Sequence, residues 1–198
     1  MSEVNKPFKS DLLKFYLIEL NTAEPSVIQK IRLWVQNFAL HCVAVYRLGQ
    51  FSRRLFHRNK MLGLPFMIFY KIINYFISML YHINIDAEIG PGFYIAHVGT
   101  IYIGPCNIGQ NFSVTHNVTI GVGHTKGSEG IPTIGNNVWV GTGSVISGAV
   151  SIGDGVTVTN GCMLSRSVPD GSLVGGNPGR VILRDYDNSE LLVWSPDR

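Results

Sequence analysis

The sequence predicts a mainly β chain, a parallel β-solenoid of triangular cross-section preceded by an α-helical module. Three observations predict it: a six-residue aliphatic period, glycines locked to that period, and a different, helical spacing before residue 83. From Ile134 to Leu164 one aliphatic residue recurs every six positions, at Ile134, Val140, Ile146, Ile152, Val158 and Leu164. Six fits neither the 3.6-residue helical period nor strand alternation. It fits a short strand plus a tight corner, three such units closing one coil and each coil stacking on the last.

Read backward, the phase reappears at Ile120, Val114 and Ile108 and, after one extra residue, at Ile101, Ile95, Ile89 and Ile83. These thirteen inward positions, at three per coil, predict roughly four coils. Glycine follows the aliphatic residue at Gly90, Gly109, Gly121, Gly135, Gly141 and Gly153, where a corner requires positive φ or close backbone approach. A β-sandwich, the plainer alternative, spaces its strands more widely than six residues.

Composition sets the outer limits. At 198 residues, 45% hydrophobic and 15% charged, the chain suits one compact domain with an extension and excludes a disordered one. Cys42, Cys106 and Cys162 are odd in number and lack metal-ligand spacing. With no signal-peptide pattern, they predict a reducing, cytoplasmic setting and no metal.

The net charge of +3 conceals an asymmetry. Between Pro25 and Ile85 there is no acid but eight bases, Lys30, Arg32, Arg47, Arg53, Arg54, Arg58, Lys60 and Lys71. The spacing there predicts helices over 8–20, over 26–58 with Ser26 as N-cap, and from Pro65 onward. In the third, Lys71, Asn74, Ser78 and His82 form one narrow stripe and apolar residues cover the rest, so the helix is expected to be buried on most sides. Its partners are other helices, a second subunit, or a lipid interface met by Arg53, Arg54, Arg58 and Lys60; Lys71 and a length of 18 residues argue against a full span. No nucleic-acid-reading motif accompanies the charge.

The coil register turns scattered polar residues into a column. His97 and His116 each lie two residues after an inward position, three repeats apart, so the two imidazoles are expected to stack on one edge of the prism, with Thr142 and Asn160 continuing upward. The excess residues of GVGHTKGSEGIPT, 121–133, predict an extruded loop carrying His124 and Lys126 beside that column. Each histidine alone is an ordinary surface residue; stacked beside a loop they become a candidate site.

These residues resemble a known family. IGPGFYIAH at 89–97, NVTIGVG at 117–123, PTIGNNVWVGTGSVI at 132–146 and VPDGSLVGGNPGRVI at 168–182 are similar to the hexapeptide-repeat, left-handed β-helix acyltransferases, in particular a serine-acetyltransferase-like branch of capsule and exopolysaccharide enzymes. The resemblance implies a homotrimer with acetyl-CoA in the groove between subunits. It implies His97 as general base on an acceptor hydroxyl, His116 beside it, and no metal. Gly121 and Gly123 match the glycine turn near the thioester, Thr142 and Asn160 the corners facing the cofactor, and Arg180 the basic residue near its nucleotide end.

Departures from the pattern bear on the acceptor. Serine acetyltransferases carry Asp before the catalytic His and His before the Pro of the later motif; here those positions are Ala96 and Ile131. A site lacking these polar partners suits free serine poorly. Where the family often places a carboxylate to orient the imidazole stands His82, with Asp86 or Glu88 as substitutes, and His124 is the alternative base on the loop.

The expectation is therefore a helical module (1–82), a left-handed β-helix (83–182) with an extruded loop (121–133), and a C-terminal tail (183–198). Its expected function is acetyl-CoA-dependent O-acetylation of a sugar hydroxyl on a surface polysaccharide or precursor, with possible peripheral membrane contact and no nucleic-acid partner. Serine O-acetylation, sugar N-acylation and a non-catalytic scaffold are the alternatives.

Overall fold

The computed structural model describes residues 7–123 and 129–193. Four helices precede the solenoid: α1 (Pro7–Leu20), α2 (Val27–Gln36), α3 (Phe38–Arg58) and α4 (Lys60–Tyr81). Ser26 caps α2 in a reciprocal box, its Oγ accepting from Gln29 N and Gln29 Oε1 accepting from Ser26 N. The single helix expected over 26–58 is instead two. Asn37 leaves helical geometry at φ −101°, ψ 96°, ends α2, and starts α3 by accepting Leu40 N on its Oδ1 at 2.9 Å. A short amide side chain that bonds backbone locally competes with helix continuation. Asn59 does the same at 3.1 Å for Leu62 N, so α4 begins at Lys60 and Pro65 lies inside it.

Three parallel sheets form the faces of the prism. The first stacks β1 (Ile83–Ile85), β4 (Ile101–Ile103), β7 (Val118–Gly121), β10 (Val145–Ser147) and β13 (Met163–Leu164). The second holds β2 (Glu88–Ile89), β5 (Asn107–Ile108), β8 (Thr133–Ile134) and β11 (Ser151–Ile152). The third holds β3 (Tyr94–Ile95), β6 (Ser113–Val114), β9 (Trp139–Val140), β12 (Thr157–Val158) and β14 (Leu173–Gly175), closed by β15 (Arg180–Leu183), which runs antiparallel to β14. All thirteen predicted inward residues are 5% exposed or less. Val168 and Val174 continue the stack past Leu164 and complete about five turns rather than four.

The register corrects the position of the phase slip. Ile83 and Ile101 align with Val118, whereas the partner of Ile120 is Ile103. Both rows point inward because they are two residues apart on one strand. From Ile95 to Ile103 is therefore eight residues, and from Ile103 to Ile108 five, so the extra chain enters at the corner His97-Val98-Gly99-Thr100. Gly99, at φ +149°, takes the conformation this enlarged corner requires, where a Cβ would sit 3.0 Å from that of His116.

At Gly90, Gly109, Gly135, Gly141 and Gly153, each following an inward residue, close approach is the operative constraint. A Cβ on Gly141 would lie 2.8 Å from the Asn160 amide nitrogen and 2.9 Å from the Val158 carbonyl of the next coil. Beside these glycines runs a ladder of side-chain caps. Asn136, Asp154 and Asp170 each accept, on Oδ1, the amide of a residue one coil below: Gln110 at 3.0 Å, Asn136 at 2.6 Å and Asp154 at 2.9 Å.

The helices dock on the first two coils through buried charge. Arg47, one of the eight bases of the acid-free stretch, is 6% exposed; it donates to both carboxylate oxygens of Asp11, at 2.6 and 3.0 Å, and to the carbonyls of Ile89 and Gly90. Asp11 also accepts the amides of Gly92 and Phe93. Lys14, wholly buried, donates to Gly92 O, Asn111 Oδ1 and Ser113 Oγ. Burial pushes its ammonium well below the ordinary lysine range. Charges removed from water persist only with such complete hydrogen bonding.

Helix α4 inverts the expectation of burial. Ser78 faces inward, donating to Ile83 O at 2.9 Å, and Asn74 lines a small cavity with Cys42, Tyr46 and Ile83. Ile68, Phe69, Ile72, Tyr75, Phe76, Met79 and Leu80 stand outside, and Gly63 alone on α4 is buried within the chain. Asn74 and Ser78 share the half-buried face with Met67, Tyr70, Ile73 and Ile77, whereas Lys71 and His82 of the polar stripe are exposed, because α3 covers one side of α4 and leaves the rest of its circumference free. By length and composition α4 could cross a membrane.

Candidate functional site

His97 and His116 occupy the edge between the third and first sheets. Their register follows from Ile95 pairing with Val114, and the rings meet edge to face with centroids 5.8 Å apart and planes at 67°. His97 is exposed and His116 half-buried. His116 Nδ1 is shielded from solvent with no hydrogen-bond partner among the described residues. A buried ring nitrogen without a partner carries a free-energy cost that a bound substrate or water would relieve.

The column continues as the spacing predicts. Val114 pairs with Val140 and Val140 with Val158, which places Thr142 and Asn160 above His116. Thr142 N donates to Asn160 Oδ1 at 2.9 Å, and Thr142 Oγ1 to Thr115 Oγ1 at 3.1 Å. Asn160 therefore has a structural task at the corner, the same task Asp154 has on another edge. Arg180 opens β15 at the far end of this sheet, exposed and opposite Gly175.

Other predicted site residues lie apart from the histidine pair. Gly121 ends β7, and Gly123 exchanges two backbone hydrogen bonds with Gly130, at 2.9 and 3.2 Å, forming a neck where the chain departs from the six-residue phase. His124 and Lys126 fall outside the described residues. The neck leaves the edge between the first and second sheets, so the loop does not emerge beside the histidines of its own chain. A full sheet face, about 16 Å for the five residues from His116 to Gly121, separates them. Asp86 stands on that second edge too, and Glu88 is engaged by Gln50 Nε2 at 2.9 Å with Arg53 and Arg54 nearby. His82, exposed, takes the left-handed conformation that ends α4, at φ 53°. Among the described residues no hydrogen bond joins His82, Asp86 or Glu88 to His97.

What the sequence reading missed is a groove. His97, Ala96 and Val98 line one side of an open cavity of about 300 Å³ whose other side is Gln36, Asn37, Phe38 and Ala39 at the α2–α3 break. The break at Asn37 brings these residues to the coil edge; a capping signal there would have revealed it. No group of described side chains could hold a metal ion.

The fold is similar to that of known proteins. Residues 131–166 match the family described as bacterial transferase hexapeptide (six repeats). Among solved structures, serine acetyltransferase from Vibrio cholerae O1 biovar El Tor N16961 superposes with TM-score 0.73 at 20% identity, covering 96% of this chain and 69% of that one. Serine acetyltransferase from Brucella abortus strain S19, in complex with coenzyme A, gives 0.68 at 20% identity over 90% and 67%. The soybean enzyme complexed with serine gives 0.69 at 22% over 90% and 69%. A comparison with curated proteins finds no match. The chain thus carries the bacterial hexapeptide transferase repeat in its upper coils and, from helices to final coil, the fold shared with serine acetyltransferases, a left-handed β-helix with an N-terminal helical region.

Proposed function

We propose that the chain is an acetyl-CoA-dependent O-acetyltransferase acting on a sugar hydroxyl of a surface polysaccharide or its lipid-linked precursor. The observation that carries the proposal is the exposed His97 ring, set edge to face against His116 at the mouth of the groove. A neutral imidazole there accepts the hydroxyl proton as the acceptor oxygen bonds to the thioester carbonyl carbon. The tetrahedral oxyanion is stabilised by backbone N–H groups, and it collapses with cleavage of the C–S bond and departure of coenzyme A as thiolate. His116 packs against His97 and holds its position. The coenzyme A complexes of structural neighbours support the donor.

Assembly as a homotrimer fits the separation of loop and histidines, since the loop edge of one subunit can meet the histidine edge of the next. Thr142, Asn160 and Arg180 then line the groove between subunits, with Gly121 and Gly123 at the thioester. The cytoplasmic face of a membrane is the proposed location, reached through the outward residues of α4.

Serine acetylation is the second reading, favoured by the serine complexes among the neighbours. Against it, Ala96 lines the groove and Ile131 stands exposed beside the loop neck, both without a polar group for a zwitterion. The deciding experiment measures thiol release from acetyl-CoA across monosaccharides, oligosaccharides and serine. Saccharide-dependent release is expected; release with serine alone transfers the assignment to serine.

A further inference from the structure

The groove at His97 has a neighbour across Asn37. A second cavity, of about 350 Å³, is lined by Glu19, Leu20, Gln29, Arg32, Leu33, Gln36 and Asn37, and it shares Gln36 and Asn37 with the first. The two are neighbours, set on either side of Gln36 and Asn37, and together they line a path from the imidazole across the α2 surface to α1. Each volume lies at the lower end of the range for small-molecule sites, so the pair accommodates a ligand longer than a single ring.

The hydrogen bonding of the channel wall is one-sided. Gln29 Oε1 accepts Ser26 N, Gln36 Oε1 accepts Arg32 Nε at 3.0 Å, and Asn37 Oδ1 accepts Leu40 N. Each of these amide oxygens already accepts one hydrogen bond, whereas the amide NH2 groups of Gln29, Gln36 and Asn37 and the terminal nitrogens of Arg32 add donors to the wall. Glu19 supplies the acceptor and is itself fixed by the Tyr94 hydroxyl at 2.8 Å. Leu20 and Leu33 give the channel an apolar floor. Donors in a row, one carboxylate and an apolar base suit a ligand bearing many oxygen acceptors, few donors per ring and apolar ring faces.

We infer that this channel is an extended acceptor subsite for an oligosaccharide of two or more sugars. In it Arg32 and Gln36 bind the sugars beyond the one acetylated, Arg32 being suited to a carboxylate or phosphate substituent. The inference rests on the sugar-acetylation reading and adds that acceptor length is recognised by α1 and α2.

The test separates the two. Binding of mono-, di- and trisaccharides of glucose, galactose, N-acetylglucosamine and glucuronic acid to the full chain is measured by saturation-transfer NMR titration, without acetyl-CoA. Thiol release is measured in parallel on the same panel. At least one series is expected to gain tenfold or more in affinity from one to three sugars. The double variant Arg32→Ala/Gln36→Ala, both exposed and bonded to each other, is expected to lose that gain, while Lys30→Ala on the same helix keeps it. No length dependence in any series, or equal loss in Lys30→Ala, overturns the subsite. Thiol release from no saccharide overturns the acetylation reading while the binding titration still reports on the channel.

Discussion

The Arg47 guanidinium holds both carboxylate oxygens of Asp11, 2.6 and 3.0 Å away, and its remaining donors close on Gln50 and on the carbonyls of Ile89 and Gly90. One side chain on α3 thereby fixes α1 to the first coil, and with it the helical wall of the groove at His97. Arg47→Met leaves Asp11 buried without its cation. Loss of about 3–5 kcal/mol in stability is expected, measured by urea unfolding. A loss under about 1 kcal/mol would show the pair to be dispensable.

His97→Ala is expected to lower kcat by roughly 10²–10⁴ with acetyl-CoA affinity nearly unchanged, because the base acts on the acceptor and not on the donor. His116→Ala costs less, since it acts through His97. Full activity in His97→Ala, with loss in His124→Ala, would move the base to the loop.

Two glycines of the solenoid should respond oppositely to one methyl group. Gly141→Ala drives its Cβ against the backbone of Val158 and Asn160 and is expected to cost about 1–3 kcal/mol. At Gly104 the nearest atoms stand at 3.6 Å, so Gly104→Ala is expected to be neutral or to stabilise by up to about 1 kcal/mol through the unfolded chain. Equal thermal shifts in the two variants would refute the close-approach account.

The outward residues of α4, with Arg54, Arg58 and Lys60 at its approach, predict binding to anionic vesicles. Flotation at low salt is expected to carry the protein up. The salt-sensitive share should weaken as the Debye length falls from about 10 Å at 0.1 M to about 3 Å at 1 M, leaving an apolar remainder. Neutralising Arg53, Arg54 and Arg58 together should remove that share. Absence of flotation by a folded trimer, as sized by light scattering, would assign α4 to subunit packing.

The six-residue period by itself determined the solenoid, its inward residues and the alignment of His97 with His116, because in a coil of short strands every contact repeats at a fixed sequence distance. It also marked the corner glycines and the break in phase after Ile120. Tertiary structure decided what spacing does not encode. Whether Ile101 or Ile103 pairs with Ile120 depends on hydrogen bonding between coils, since both can point inward from one strand. Arg47 and Lys14 became interior charges because Asp11, Asn111 and Ser113 reach them from distant parts of the chain, and the Asn37 break met His97 for the same reason. The outward face of α4 was settled by which side of the helix α3 could cover. Local sequence specifies period and caps; the partners of a long-range contact are fixed only when the chain closes on itself.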